Sequence, residues 1–94
     1  MMQHNIELNS KKWILSGSIT YKEIPSLIES TQNFNWTDSV QVDLSQVKHL
    51  DTSILSLIFE WKRKAKNHKY DVALINSPKN LLKLAKLYGV EDLI

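Results

Sequence analysis

Apolar residues alternate with polar ones at Ile6 and Leu8 and again through Trp13, Leu15, Gly17 and Ile19, with the polar segment NSKK between the two runs. A period of two is the spacing of a strand with one buried face, so the pattern predicts an opening antiparallel pair. The spacing then lengthens. Ile24, Leu27 and Ile28 stand at i, i+3 and i+4, the buried stripe of a helix. Thr20 followed by Glu23 has the form of a capping box, which places the helix start near Tyr21, and Pro25 lies early enough to cost little of the ladder. A polar loop, QNFNWTDS, carries Phe34 and Trp36 and leads into a third alternating run, Val40, Val42 and Leu44, closed by Asp43 and Ser45.

The longest amphipathic segment opens on Asp51, Thr52 and Ser53. With about 100° of turn per residue, Ile54, Ile58, Trp61 and Ala65 share one stripe, and Leu55 and Leu57 lie beside it. The segment VALI within Tyr70 to Ile75 is a continuous apolar run, as in a strand covered on both sides or deep in a sheet. A helix between two such strands implies a parallel pair with a right-handed crossover. Ser77 is placed to cap a third helix with Pro78 at its first position, Leu81, Leu82, Leu84, Ala85 and Tyr88 facing inward, Lys79, Lys83 and Lys86 opposite, and Gly89 as the stop. The expected fold is α/β, one domain over residues 1–94: a four-stranded mixed sheet with helices packed mainly on one face, in the order β-β-α-β-α-β-α.

Composition narrows the function classes. At 94 residues there is room for one core, burying roughly two-thirds of the surface that the unfolded chain exposes. Hydrophobic residues at 43% and charged residues at 23% are ordinary globular values. The absence of cysteine excludes disulfides, thiolate catalysis and Cys-based zinc sites, and suits a reducing compartment. MMQHNIELN lacks the apolar core of a secretory signal, and the expected location is the cytoplasm. A net charge of +2 is too small to imply attraction to nucleic acid.

The helix headed by Asp51 carries the candidate chemistry. Asp51 has the residue type of a cap, and its carboxylate complements the positive end of the helix dipole. Thr52, Ser56, Phe59 and Arg63 lie at i, i+4, i+7 and i+11 on a stripe away from Leu57. Phe59 on that outer margin either folds over a neighbouring helix or anchors a protein interface, where aromatic residues and Arg carry much of the energy. A hydroxyl at a helix N-terminus is also a site at which an added phosphate meets free N–H groups, although Asp51 beside Thr52 repels that charge.

The residues Val42-Asp43-Leu44-Ser45, then Leu50-Asp51-Thr52-Ser53 entering an apolar helix, then VALI, then Leu84-Ala85-Lys86-Leu87-Tyr88-Gly89-Val90 resemble a STAS domain. Within that family they are most similar to the STAS subunit of the bacterial Mla phospholipid-transport ABC complex. The resemblance is firmest from Val40 to Ile94. It implies a small non-enzymatic domain, without a cofactor, that binds another protein through the Asp-Ser/Thr loop and the helix it opens. The implied partner is the ATPase subunit of the ABC transporter and, through it, the permease, with the domain peripheral at the cytoplasmic face of the inner membrane and supporting lipid asymmetry. The partner-binding residues carried over are Asp51, Thr52, Ser53, Leu55, Ser56, Phe59 and Arg63. In the sigma-factor antagonist branch the residue matching Thr52 is phosphorylated by a kinase anti-sigma factor, which makes Thr52 the regulatory candidate. Ile54 stands where the motif usually has Gly, and this β-branched residue leaves less room for a kinase to close over Thr52.

The remaining signals are weaker. KRKAKNHK ends its helix where cations complement the dipole, so a solvated face explains it first, anionic lipid or an acidic protein patch second, and nucleic acid third. His4, His49 and His68 have no metal-ligand spacing, and His49 with Asp51 lacks a nucleophile or oxyanion donors. With only Gly17 and Gly89 there is no glycine-rich phosphate loop.

Overall fold

The computed structural model describes residues 5–94. Strands β1 (Ile6–Leu8), β2 (Lys12–Ile19), β3 (Val40–Leu50) and β4 (Val72–Ile75) form one sheet in the order β1-β2-β3-β4. The helices are α1 (Ile24–Thr31), α2 (Ser53–Asn67) and α3 (Lys79–Leu87), and a 3-10 turn, Glu91–Leu93, follows. β1 and β2 are antiparallel; β2/β3 and β3/β4 are parallel, with α1 and α2 as their crossovers. The mixed sheet and the order β-β-α-β-α-β-α are those the hydrophobic pattern implies.

Register sorts the side chains. Leu8 pairs with Trp13, Trp13 with Val42 and Val42 with Leu74, so these apolar residues share the face that the helices cover. Glu7, Ile14, Asp43 and Ile75 form the matching row on the other face. From the helix side come Leu27 of α1, Ile54, Leu55, Leu57, Ile58, Trp61 and Ala65 of α2, and Leu81 and Ala85 of α3, all buried in the same cluster. Trp13 meets Trp61 edge-on at 5.0 Å and Phe34 at 4.9 Å, and Trp36 lies 5.6 Å away, so the polar loop after α1 closes over the core with its two aromatic rings.

One hydrogen bond ties the two crossover helices. Trp61 Nε1 donates to Thr31 Oγ1 at 2.8 Å, and the Thr31 hydroxyl donates to the Leu27 or Ile28 carbonyl at 3.0 or 3.1 Å. Thr31 is thus a buried polar residue whose burial is compensated at both its donor and its acceptor.

Several boundaries differ from the sequence expectation, each for a local reason. β3 does not close at Ser45 but continues to Leu50, because it gains a residue relative to β2 twice: Ile14 pairs with Asp43 but Ser16 with Gln46, and Gly17 with Val47 but Ser18 with His49. Each bulge resets the alternation that marks a strand. Gly17 lies at φ +74°, and the Asn5 amide straps the bend by donating to the Ser16 and Ser18 carbonyls at 2.8 and 3.1 Å. α1 starts at Ile24, three residues after Tyr21. Only half of the capping box forms: Glu23 Oε1 accepts both the Thr20 N–H and the Thr20 hydroxyl, which hold the carboxyl below its usual range, while the Glu23 N–H bonds the Thr20 carbonyl.

VALI is not deep in the sheet but at its edge, with Ala73 exposed. The Val40 N–H bonds the Asp71 carbonyl, which leaves the main-chain groups of Val72 pointing away from β3. Side chains occupy both: Asp71 Oδ1 accepts the Val72 N–H at 2.8 Å, and Lys62 Nζ donates to the Val72 carbonyl. This blunts an edge that otherwise invites strand pairing. In α3, Pro78 rather than Ser77 takes the N-cap position, and Leu82 and Tyr88 are 51% and 57% exposed rather than inward. Gly89 does end the helix, at φ +68°, with Val90 N–H on the Ala85 carbonyl and Gly89 N–H on that of Lys86, a Schellman arrangement.

Asp43 sits on the uncovered sheet face. Its Oδ1 accepts the Ser45 N–H at 2.9 Å and the Asn76 amide at 3.1 Å, and Lys12 Nζ lies 3.6 Å from Oδ2. The Ser45 and Asn76 hydrogen bonds lower its pKa to about 2 from an unperturbed 3.8.

Two outcomes are expected. Thr31→Val keeps the shape but leaves the Trp61 N–H unpaired, and should lower the unfolding free energy by about 1–3 kcal/mol in urea titrations. A carboxylate with a depressed folded pKa stabilises above its unfolded pKa and loses that contribution as pH falls through the folded one. Acidification from about pH 4 to pH 2 should therefore remove on the order of 2 kcal/mol through Asp43 alone, and thermal melts of Asp43→Asn should show a shallower acid limb than wild type.

Candidate functional site

The head of α2 is built by Asp51. Its Oδ1 accepts the Ser53 N–H at 2.9 Å, and its Oδ2 accepts the Tyr21 N–H at 3.1 Å from the segment between β2 and α1. One carboxylate thereby satisfies a free donor of the first turn and fastens the exit of β3 to the exit of β2. Burial opposes its charge, but the Tyr21 and Ser53 donors outweigh that and hold the carboxyl below its ordinary range. Thr52 occupies the N-cap position with helical backbone angles, φ −63° and ψ −18°, and its hydroxyl makes no capping bond. With the capping done by its neighbour, the Thr52 side chain faces solvent. Ser53, the first helical residue, is half-buried.

Along α2 the two stripes separate as their spacing dictates. Ile54, Leu57, Ile58, Trp61 and Ala65 are buried, and so is Leu55 at 7% exposure. Leu55, expected at the edge of the outer face, therefore packs with the core and supports that face from beneath. Thr52, Ser56 and Arg63 are exposed. Phe59 is half-buried and packed against the core cluster, so its ring is shared between core and surface. Arg63 is held within the helix by a bidentate pair with Glu60, at 2.6 and 3.2 Å, which keeps the Glu60 carboxyl below its usual range. The free part of the outer face is thus concentrated at Thr52 and Ser56.

The surface extends sideways from Thr52 in a direction that helical periodicity within α2 does not reveal. Leu50 at the end of β3 and Leu84 and Leu87 of α3 form the apolar wall of a groove beside Asp51 and Thr52, with Asn80 and Lys83 on its α3 rim. Leu87 is 75% exposed and Tyr88 57%, and Tyr21, whose N–H is bound to Asp51, is 66% exposed. Leu50 and Leu87 are more than thirty residues apart in the sequence, so only the packing of α3 beside the head of α2 assembles them. The sequence sign was Leu87, which like Leu82 is a leucine off the buried stripe of Leu81 and Ala85.

The remaining polar candidates are dispersed. His49 is exposed on β3 opposite Ser18, and no hydrogen bond joins it to Asp51, whose oxygens are taken by Ser53 and Tyr21. His68 ends α2 and stacks on Trp36 at 6.0 Å. Among the described residues, no three His, Asp or Glu gather into a metal-binding group, and His4 lies outside the described residues. The basic run is partly engaged, with Lys62 on the Val72 carbonyl and Arg63 on Glu60. Among the described residues, no helix is long and apolar enough to cross a membrane.

A family model described as "Mlab, STAS domain" matches residues 2–94. No curated protein matches the chain.

The division of roles between Asp51 and Thr52 is testable by stability alone. Asp51→Ala strips the acceptor from two main-chain donors and should cost about 1–2 kcal/mol in denaturant melts, with faster hydrogen exchange at the Tyr21 amide. Thr52→Ala, which removes no bond, should stay within about 0.5 kcal/mol of wild type.

Proposed function

The chain belongs to the STAS domain family, of the MlaB type, and from that premise we propose that it is a non-enzymatic docking subunit seated on the ATPase of an ABC transporter that moves phospholipids between the inner and outer membranes. The observation that carries this reading is the unoccupied Thr52 hydroxyl. It stands at the mouth of α2, freed by Asp51 from any capping duty, and is continuous with the apolar groove walled by Leu50, Leu84 and Leu87. A fixed backbone, a small hydroxyl and an exposed apolar rim make a low-relief surface of the kind that receives a folded partner with little rearrangement.

In this reading the domain attaches to the cytoplasmic face of the inner membrane through the ATPase, which itself contacts the permease. Thr52, Ser56 and the outer edge of Phe59 form the centre of the contact; Arg63, paired with Glu60, lies toward its rim. Asp51, Ser53 and Leu55 hold the surface in place from within. Docking shifts the ATPase toward an assembled, working conformation to the extent that the domain binds that conformation more tightly than others. No cofactor and no reaction of its own enter this account.

Phosphorylation at Thr52 by a kinase anti-sigma factor is the second reading, and the exposed, unbonded hydroxyl favours it. The Ile54 argument against it weakens, because that side chain is wholly buried and does not crowd Thr52 from outside. The Asp51 carboxylate argues against it more directly: its lowered pKa keeps it ionised at neutral pH, beside any phosphate added to Thr52.

Size-exclusion chromatography with the purified ATPase of the same cells tests the reading. Wild type should co-elute with it, and Thr52→Glu should weaken the complex by about tenfold or more while leaving the melting curve unchanged. Failure of wild type to bind the ATPase, together with recovery from cells of a Thr52 phosphoform that binds a kinase, would overturn it in favour of the second.

A further inference from the structure

The basic run at the end of α2 supplies a residue that the docking function does not use. Lys62 Nζ donates to the Val72 carbonyl, and Asp71 Oδ1 accepts the Val72 N–H at 2.8 Å. Both outward main-chain groups of one residue on the edge strand are thus taken by side chains. The closure is selective. Along β4 the main chain alternates in direction, so Ala73 and Ile75 bond β3 whereas Val72 and Leu74 face outward. The two side chains close Val72 and not Leu74.

Closing one outward residue of two is complete against one neighbour in particular. An identical strand laid antiparallel about a two-fold axis through Ala73 sets Val72 opposite Leu74 of the second copy, and Leu74 opposite its Val72. Each of these pairs exchanges two hydrogen bonds, so every bond of the junction uses a group of Val72 from one copy or the other. Against an unrelated strand the same closure leaves both Leu74 bonds available. Ala73, at the axis, is exposed on the face without helices, in the row of Lys12 and Gln41, and its methyl group permits the close approach of a pair that exchanges no hydrogen bonds. Moving the axis to Leu74 would set Val72 opposite Asn76, which at φ +57° has left the extended backbone. We propose that Lys62 and Asp71 form a lock that holds this chain apart from a second copy of itself, and that β4 is the latent junction of an isologous dimer whose sheet runs unbroken through both copies. The inference does not rest on the docking function, whose surface is the opposite end of α2.

The test is size-exclusion chromatography with light scattering over a dilution series of the purified chain, each variant first shown to be folded by its near-ultraviolet spectrum and melting curve. Wild type and Lys62→Arg, which keeps a donor at the Val72 carbonyl, should run with the mass of one chain. The double variant Lys62→Met with Asp71→Ala should run with the mass of two and dissociate on dilution. Each single variant frees only one group of Val72, regains half of the junction's bonds, and should pair at least about tenfold more weakly than the double variant. Adding Leu74→Pro to the double variant removes an outward N–H without touching the bonds to β3, and should return it to the mass of one chain. Hydrogen exchange at the Leu74 amide should slow in the double variant relative to wild type. If the double variant does not fold, Lys62→Met with and without Leu74→Pro carries the same comparison at higher concentration. A folded double variant that stays single at every concentration overturns the lock, and so does a dimer that forms equally well in wild type or with Leu74→Pro.

Discussion

The helix layer meets the sheet where Trp61 of α2 stands edge-on against Trp13 of β2, 5.0 Å between ring centroids, and the rest of the structure depends on this contact. Edge-to-face packing of two large rings defines both the distance and the rotation of α2 over the sheet. The Trp61 indole N–H is directed to Thr31, which brings α1 into the same layer. Once α2 is held in that rotation, every other residue on it has an assigned direction: Ile54, Leu57, Ile58 and Ala65 inward, Thr52, Ser56 and Arg63 outward, and Phe59 on the boundary.

The consequence for function is felt at the head of α2, about two and a half turns before the aromatic contact. Because α2 cannot rotate, its head must join β3 by a short connection, and Asp51 makes that connection rigid by binding main-chain donors on both sides of it. The acid is consumed by structure and the hydroxyl beside it is left to the surface. Adjacent residues of similar polarity thus acquire opposite roles. Their different fates follow from geometry: the carboxylate reaches both N–H groups, whereas the Thr52 hydroxyl, at helical backbone angles, reaches neither.

The same economy governs the basic end of α2. A run of cations read in one dimension looks like an electrostatic patch, but Lys62 seals the outward carbonyl of Val72 and Arg63 neutralises Glu60. Lys83 of α3, which forms no ion pair among the described residues, stands beside an exposed leucine and within the groove at Thr52. The two ends of α2 therefore do different work, one closing the edge of the sheet and the other presenting a surface.

The sequence by itself determined the element order, the mixed sheet, the buried stripe of α2 at Ile54, Leu57, Ile58, Trp61 and Ala65 and the pairing of an acid with a hydroxyl at its head, because periods of two and of 3.6 and the residue types of caps are local properties. Tertiary structure alone decided the rest. β3 runs past Ser45 because two bulges break the alternation while β2 continues to offer partners. VALI, apolar enough for the middle of a sheet, lies at the edge, where among the described residues no further strand pairs with it, and side chains from α2 and Asp71 occupy its outward main-chain groups at Val72. Leu50, Thr52 and Leu87 meet only when α3 packs beside the head of α2. A groove shared by three elements has no periodicity along the chain, so no spacing within any one of them encodes it.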